Sequence, residues 1–195
     1  MFANRYTAVV DACSLVGTLR RNLLLTLAEA EFFRIRWSGV ILDKTEKAIA
    51  AILHKKQMED YQQRAKRARD YMETAFEEAM VTEFDQFIPV IHLPDAKDRH
   101  VVAAALKAQA ATIVTENLKD FPDDELQRFN LETRSADQFI ADTIALSPET
   151  AVAAIKKMRE RLNRPHKSAD DLLRDMDAEG LIETVNLLST RIELL

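Results

Sequence analysis

Short apolar runs alternate with amphipathic stretches through most of the chain, and the final part keeps only the helical period. Ala8–Asp11 reads as a short buried strand, because Ala8, Val9 and Val10 are apolar without a break. Arg20–Phe33 places Leu23, Leu24, Leu27, Ala28 and Phe32 at helical spacing. Arg34–Trp37 is a second strand candidate, and Ser38 is placed to cap a helix from Gly39 to about Leu53. Met58–Met80 reads as a highly charged helix with Tyr61, Ala65, Ala68, Tyr71, Met72, Ala75, Phe76 and Ala79 as its apolar stripe. Pro89–Leu93 is a third strand candidate, Thr112–Thr115 a fourth and Leu131–Thr133 a fifth. Between them Ala96–Ala110 is expected to be helical, with Pro94 and Asp95 at its start. Ser135 caps a helix running to Leu146, and Ser147-Pro148-Glu149 opens another. The helical tail is interrupted near Asn163–His166 and at Gly180.

Strands that alternate with helices predict an α/β fold: a central parallel sheet covered on both faces. The helical tail then forms an extension, giving residues 1–146 as the sheet domain and 147–195 as helices packed on or beside it. With 195 residues the chain can bury a substantial core. Its three glycines leave no Gly-rich phosphate cradle, which counts against a phosphatase-like or receiver-like α/β domain. The net charge of −5 weighs mildly against a nucleic-acid partner, although a bound metal would offset clustered carboxylates. The lone Cys13 excludes an internal disulfide framework, fits a reducing compartment and reads best as a small buried side chain. Neither a signal peptide nor a membrane span is apparent in the sequence, so a cytoplasmic location is expected.

The chemistry concentrates between His92 and Pro122. Asp98 stands at the start of Asp-Arg-His-Val-Val-Ala-Ala-Ala, and Thr115, Asn117 and Asp120 follow the fourth strand. Asp11 ends the first strand. Carboxylates at strand ends are how open α/β sheets build sites for hard cations, and the set points to a metal-dependent enzyme acting on phosphate. Each residue also has a plainer explanation. Asp11 and Asp98 can serve as helix caps, Asp95 is the better structural cap of its pair, and Asn117 suits an Asx-turn. His100, one turn into the Asp98 helix, reads as a packing or supporting residue rather than a ligand.

Val-Val-Asp-Ala-Cys-Ser-Leu, Phe-Arg-Ile-Arg-Trp-Ser, Asp-Ala-Lys-Asp-Arg-His-Val-Val-Ala-Ala-Ala and Ile-Val-Thr-Glu-Asn-Leu-Lys-Asp-Phe-Pro together resemble the PIN-domain family. Within it, the nearest branch is the bacterial VapC-like toxins of type II toxin–antitoxin pairs. The resemblance covers roughly Ala8 to Ile144, and the helical tail is similar to the extension of that branch. It implies a three-layer α/β/α fold and a Mg²⁺- or Mn²⁺-dependent endoribonuclease that cuts single-stranded RNA. By motif, Asp11 and Asp98 become the central metal ligands, with Asp120 and Asn117 at a further corner and Thr115 supporting it. Asp95 and Asp43 are taken as further supporting residues. A cognate antitoxin and a homodimer are implied as partners.

One position departs from the family pattern. A Glu usual on the helix after the Trp-Ser element falls at or next to Lys44 here. Asp43 and Glu46 flank it and share a helix face at i, i+3 spacing, and Glu46 is preferred as the replacement acid for its reach. If neither arrives, Lys44 would repel the metal, and the protein would be a degenerate PIN-like binding or regulatory module. Arg20 and Arg21, close to Asp11 in sequence, are the candidates for RNA phosphate contact, because Arg64, Lys66, Arg67 and Arg69 are interleaved with acids.

Overall fold

The computed structural model describes residues 6–162 and 166–195. Five strands form one sheet: β1 (Thr7–Val10), β2 (Arg34–Ser38), β3 (Met80–Val81), β4 (Thr112–Val114) and β5 (Glu132–Arg134). Their order is β3-β2-β1-β4-β5, and every pairing is parallel. Parallel neighbours cannot be joined by a tight turn, so the chain crosses through helices. α1 (Ala12–Val16) and α2 (Thr18–Glu29) join β1 to β2, and α3 (Gly39–Lys55) and α4 (Tyr61–Ala75) join β2 to β3. α5 (Arg99–Ala108) leads to β4, α6 (Asp123–Gln127) to β5, and α7 (Ala136–Leu146) follows the last strand. α8 (Pro148–Arg161), α9 (Ala169–Ala178) and α10 (Ile182–Ser189) complete the chain.

The order explains the layering. From β1 the chain moves outward through β2 to β3, then returns to β4 and β5 on the other side of β1. Right-handed crossovers therefore put α1 to α4 on one face and α5 and α6 on the other, which makes three layers. β1 is the central strand, and all four of its residues are buried. α5 lies across β1, β2, β3 and β4, its Val101, Val102, Ala103, Ala104 and Ala105 fully buried. Small side chains let its backbone come close to the sheet. On the opposite face Phe33 meets Phe139 of α7 edge to face at 4.8 Å. Ala151, Val152 and Ile155 of α8, Leu172 and Met176 of α9, and Leu188 of α10 join the same core as the sheet.

Several expected elements are observed with small shifts, and others are corrected. Pro89–Leu93 is not a strand. Asp85–Val90 is a 3-10 segment that includes Pro89, whose ring nitrogen has no hydrogen to give a ladder. The third strand is Met80–Val81, inside the stretch expected to be helix. The charged helix accordingly ends at Ala75, and a 3-10 turn at Glu77–Ala79 separates it from β3. Ala96–Asp98 is likewise a separate 3-10 turn before α5. The tail break expected near Asn163–His166 involves residues 163–165, outside the described residues. The break at Gly180 is present, with Gly180 at φ +80°, where a side chain would be strained.

Capping residues fix the helix starts at the end of the sheet where the strands finish. Ser38 accepts a hydrogen bond from the Ile41 amide at 3.3 Å and is fully buried. Ser135 forms a reciprocal capping box with Gln138. Asp137 accepts from the Glu183 and Thr184 amides at 2.8 and 2.9 Å, and so ties α10 to the start of α7. Replacing Ser38 by Ala should lower stability by about 1 kcal/mol, read as a reduced urea midpoint at constant slope. An unchanged midpoint would mean that α3 is set by packing alone.

Candidate functional site

The strand order reverses beside β1, so the C-terminal ends of β1 and β4 border the crevice where open α/β sheets place their ligands. The register brings the first site residues together there. Val10 pairs with Val114, the Asp11 amide donates to the Val114 carbonyl at 2.9 Å, and the Thr115 amide donates to the Arg134 carbonyl at 2.9 Å. Asp11 and Thr115 are therefore side by side. The Thr115 hydroxyl donates to Asp11 Oδ2 at 3.0 Å, and the Asn117 amide donates to that hydroxyl at 3.2 Å.

Asp11 is the cap of α1, as its plainer reading has it: Oδ1 accepts from the Ala12 amide at 2.7 Å. Its second oxygen also receives the Cys13 thiol at 3.3 Å. Cys13 is thus no inert filler. Its sulfur touches the Thr115 hydroxyl at 3.2 Å and accepts from the Glu116 amide at 3.2 Å. Burial, with the Asp11 charge beside it, pushes the thiol pKa above its usual value. Cys13 is held as a neutral donor, not as a nucleophilic thiolate.

Asp98 reaches the same end of the sheet from the start of α5. It caps nothing with its side chain, whereas Asp95 accepts from the Lys97 amide at 2.8 Å. The division expected between a structural acid and a free one is what the chain displays. The free one is taken by Lys44, whose ammonium donates to Asp98 Oδ1 at 3.1 Å and to the Lys97 carbonyl at 3.2 Å. His100 lies beneath them, buried, with neither ring nitrogen hydrogen-bonded. Burial and then the Lys44 charge push its pKa down to about 4, against the opposing pull of Asp11 and Asp98. His100 is therefore neutral at pH 7, and it feels both acids and the lysine at once.

Asp43 and Glu46 face elsewhere. Arg69 of α4 donates to Asp43 at 2.5 Å and to Glu46 at 3.2 Å, and also holds Glu73 at 3.1 Å. Helix rotation separates Lys44 from both neighbours, so only the lysine is directed to Asp98. Asp120 pairs with the Asn117 side-chain amide within the turn after β4. Arg20 and Arg21 take structural positions. Arg21 is buried and donates to the Leu15 carbonyl at 2.7 Å and the Val16 carbonyl at 3.2 Å, closing the end of α1. Arg20 donates to the Glu179 carbonyl at 3.1 Å and lies 3.6 Å from Glu116. Both guanidinium groups are thus engaged within the protein.

Glu116 was passed over in the sequence, although it stands between Thr115 and Asn117. Its Oε1 accepts from the Ser14 hydroxyl at 3.1 Å and from the Ala136 amide at 3.0 Å, so it joins α1, the β4 turn and α7. Its position directly after a strand-end threonine was the available signal. As arranged, the donor set does not fit a resident divalent ion. Asp11, Asp98 and Asp120 each already have a protein donor, and for Asp98 that donor is a cation. Among the described residues no three His, Cys, Asp or Glu side chains are grouped as metal ligands. Also among the described residues, no helix is long and apolar enough to cross a membrane.

Comparison with known proteins bears on this geometry. Residues 7–119 match the family described as PIN domain, and residues 136–190 match the one described as VapC50 C-terminal domain. A protein of Mycobacterium tuberculosis named "Putative ribonuclease VapC50" is 40% identical over 77 residues, covering 40% of this chain and 46% of that protein. The aligned stretch thus spans less than half of that relative. No solved structure gives a significant match.

Two outcomes follow from the Asp11 contacts. Thr115→Val should destabilise the fold by about 1–2 kcal/mol, because a buried carboxylate oxygen loses its hydroxyl donor; calorimetry would detect it as a lower Tm. Iodoacetamide at pH 8 should label Cys13 far more slowly in the native protein than in urea, and equal rates would show the thiol to be free.

Proposed function

The chain belongs to the PIN-domain family, and on that premise we propose that it is an endoribonuclease of the VapC type that cleaves single-stranded RNA. It would be the toxin of a type II pair, acting in the cytoplasm and silenced by a cognate antitoxin, with a homodimer as its working form. The observation that carries this reading is the setting of Asp11 against Thr115 at the switch point of the sheet, with the Asp98 side chain capping nothing at the start of α5. The reaction is hydrolysis: water attacks the phosphorus, a P–O bond to the adjoining nucleotide breaks, and the departing oxygen takes up a proton. Asp11, fixed by Ala12, Thr115 and Cys13, and Asp98 opposite it form the acidic wall that orients the water. Asn117 and Asp120 hold the turn at the rim. Mg²⁺ or Mn²⁺, implied by the resemblance, would supply charge neutralisation for the phosphate only after displacing the Lys44 ammonium from Asp98. The helices from 147 onward are proposed as the extension that accompanies this domain.

One observation favours a second reading. With Lys44 on Asp98 and with Asp43 and Glu46 on Arg69, the acidic corner lacks a working acid from α3. A protein so altered would bind RNA or its antitoxin without cutting.

The deciding assay incubates purified chain with labelled single-stranded RNA in Mn²⁺, in Mg²⁺ and in chelator, beside Asp98→Asn. Cleavage that needs the ion and falls at least about a hundredfold in the variant is expected for the nuclease. Folded protein that retards RNA on a gel but leaves it whole would establish the second reading instead.

A further inference from the structure

On α3, Lys44 is the charged group that touches Asp98. Its ammonium has two acceptors, Asp98 Oδ1 at 3.1 Å and the Lys97 carbonyl at 3.2 Å. The Asp98 side chain is 18% exposed and that of Lys44 39%, so the carboxylate is sheltered while the ammonium closes it from the solvent side. The acids that flank Lys44 are drawn to the other side of the helix by Arg69, which itself is braced by Glu73. Nothing on α3 therefore competes with the lysine for Asp98. His100, beside the pair, is 9% exposed with both ring nitrogens unpaired, so it gives Asp98 no hydrogen bond that would compete with the lysine.

We infer that Lys44 is the built-in counter-ion of the Asp11–Asp98 centre, excluding divalent ions from it unless they displace the ammonium. This deepens the proposed function and rests on Asp11 and Asp98 being its centre. The physical basis is charge occupancy. A lysine on Asp98 leaves the trio with a single net negative charge, and an acid in its place would change that charge by two units. A divalent ion a few ångströms away is sensitive to such a change even through a high effective dielectric. The ammonium also takes up one of the two Asp98 oxygens, Oδ1, together with the Lys97 carbonyl, both oxygens of the kind a hard cation would use.

The test measures Mn²⁺ binding without RNA, by the loss of the free-ion electron paramagnetic resonance signal and by the metal-dependent shift in Tm. The full chain is compared with Lys44→Glu, Lys44→Gln and the double variant Lys44→Glu/Asp98→Asn. Lys44→Glu should bind Mn²⁺ at least about tenfold more tightly than the native chain, with Lys44→Gln between them. Adding Asp98→Asn should remove the gain. Lys44→Gln keeps the comparison informative if the acidic variant folds poorly, because it removes the charge without adding another. Equal Mn²⁺ affinity in the native chain and both lysine variants, lost on Asp98→Asn, would overturn the exclusion and leave the centre standing. Binding indifferent to Asp98→Asn, or absent from every folded variant, would overturn the centre itself and the inference with it.

Discussion

The parallel pairing of β1 with β4 is the contact on which the rest depends. It is a pairing between strands distant in sequence, with Val10 opposite Val114, and it exists only because the chain turns back across β1 after building β2 and β3. Two consequences follow from one register. β1 becomes the central strand, flanked on both edges and covered on both faces, which is why an unbroken apolar run suits it. Asp11 and Thr115, each one residue past its strand, are then set at adjoining ends of the sheet, where the crevice of an open parallel sheet lies. A slip of one residue would send Val10 and Val114 to opposite faces and separate the carboxylate from its hydroxyl.

Elements whose signal is local were legible. The runs at β1 and β4, the caps at Ser38 and Ser135, and the use of Asp95 rather than Asp98 as a structural cap all rest on residues within one turn of each other. Where competition among distant partners decides, the sequence was silent. β3 is two residues long, and it reads as the end of a helix because Phe76 and Ala79 carry the apolar stripe of α4 right up to it. Pro89–Leu93 has strand composition, but Pro89 cannot donate, and Asp85–Val90 turns as a 3-10 segment instead. The long cations were hardest to place. Arg20, Arg21, Lys44 and Arg69 each have several acceptors within reach of their flexible stems, and only the packed helices decide between them.

The site is therefore best understood as a set of carboxylates in different states of engagement. Asp11 is immobilised by a cap, a hydroxyl and a thiol, Asp98 is neutralised by an ammonium, and Asp120 is folded back on Asn117. Asp43 and Glu46 are held on Arg69. Acidic residues of one composition thus have separate electrostatic histories, set by which helix supplies the nearest donor. The basic side chains of α4 illustrate the converse. Arg64 and Lys66 are paired one turn along with Asp60 and Asp70, so a stretch that looks cationic in sequence is locally balanced.

Glu116 and Arg20 deserve to be considered as a joint. Glu116 holds α1 and the start of α7, and Arg20 extends from it to the carbonyl of Glu179, just past the end of α9. Meanwhile the apolar faces of α8, α9 and α10 share one core with the sheet. The division between sheet domain and helical tail is thus a seam in the sequence with no matching seam in the core. A cut at that seam would bare apolar surface of the shared core and remove the Glu179 carbonyl at the far end of a tie-rod anchored one residue beyond Thr115.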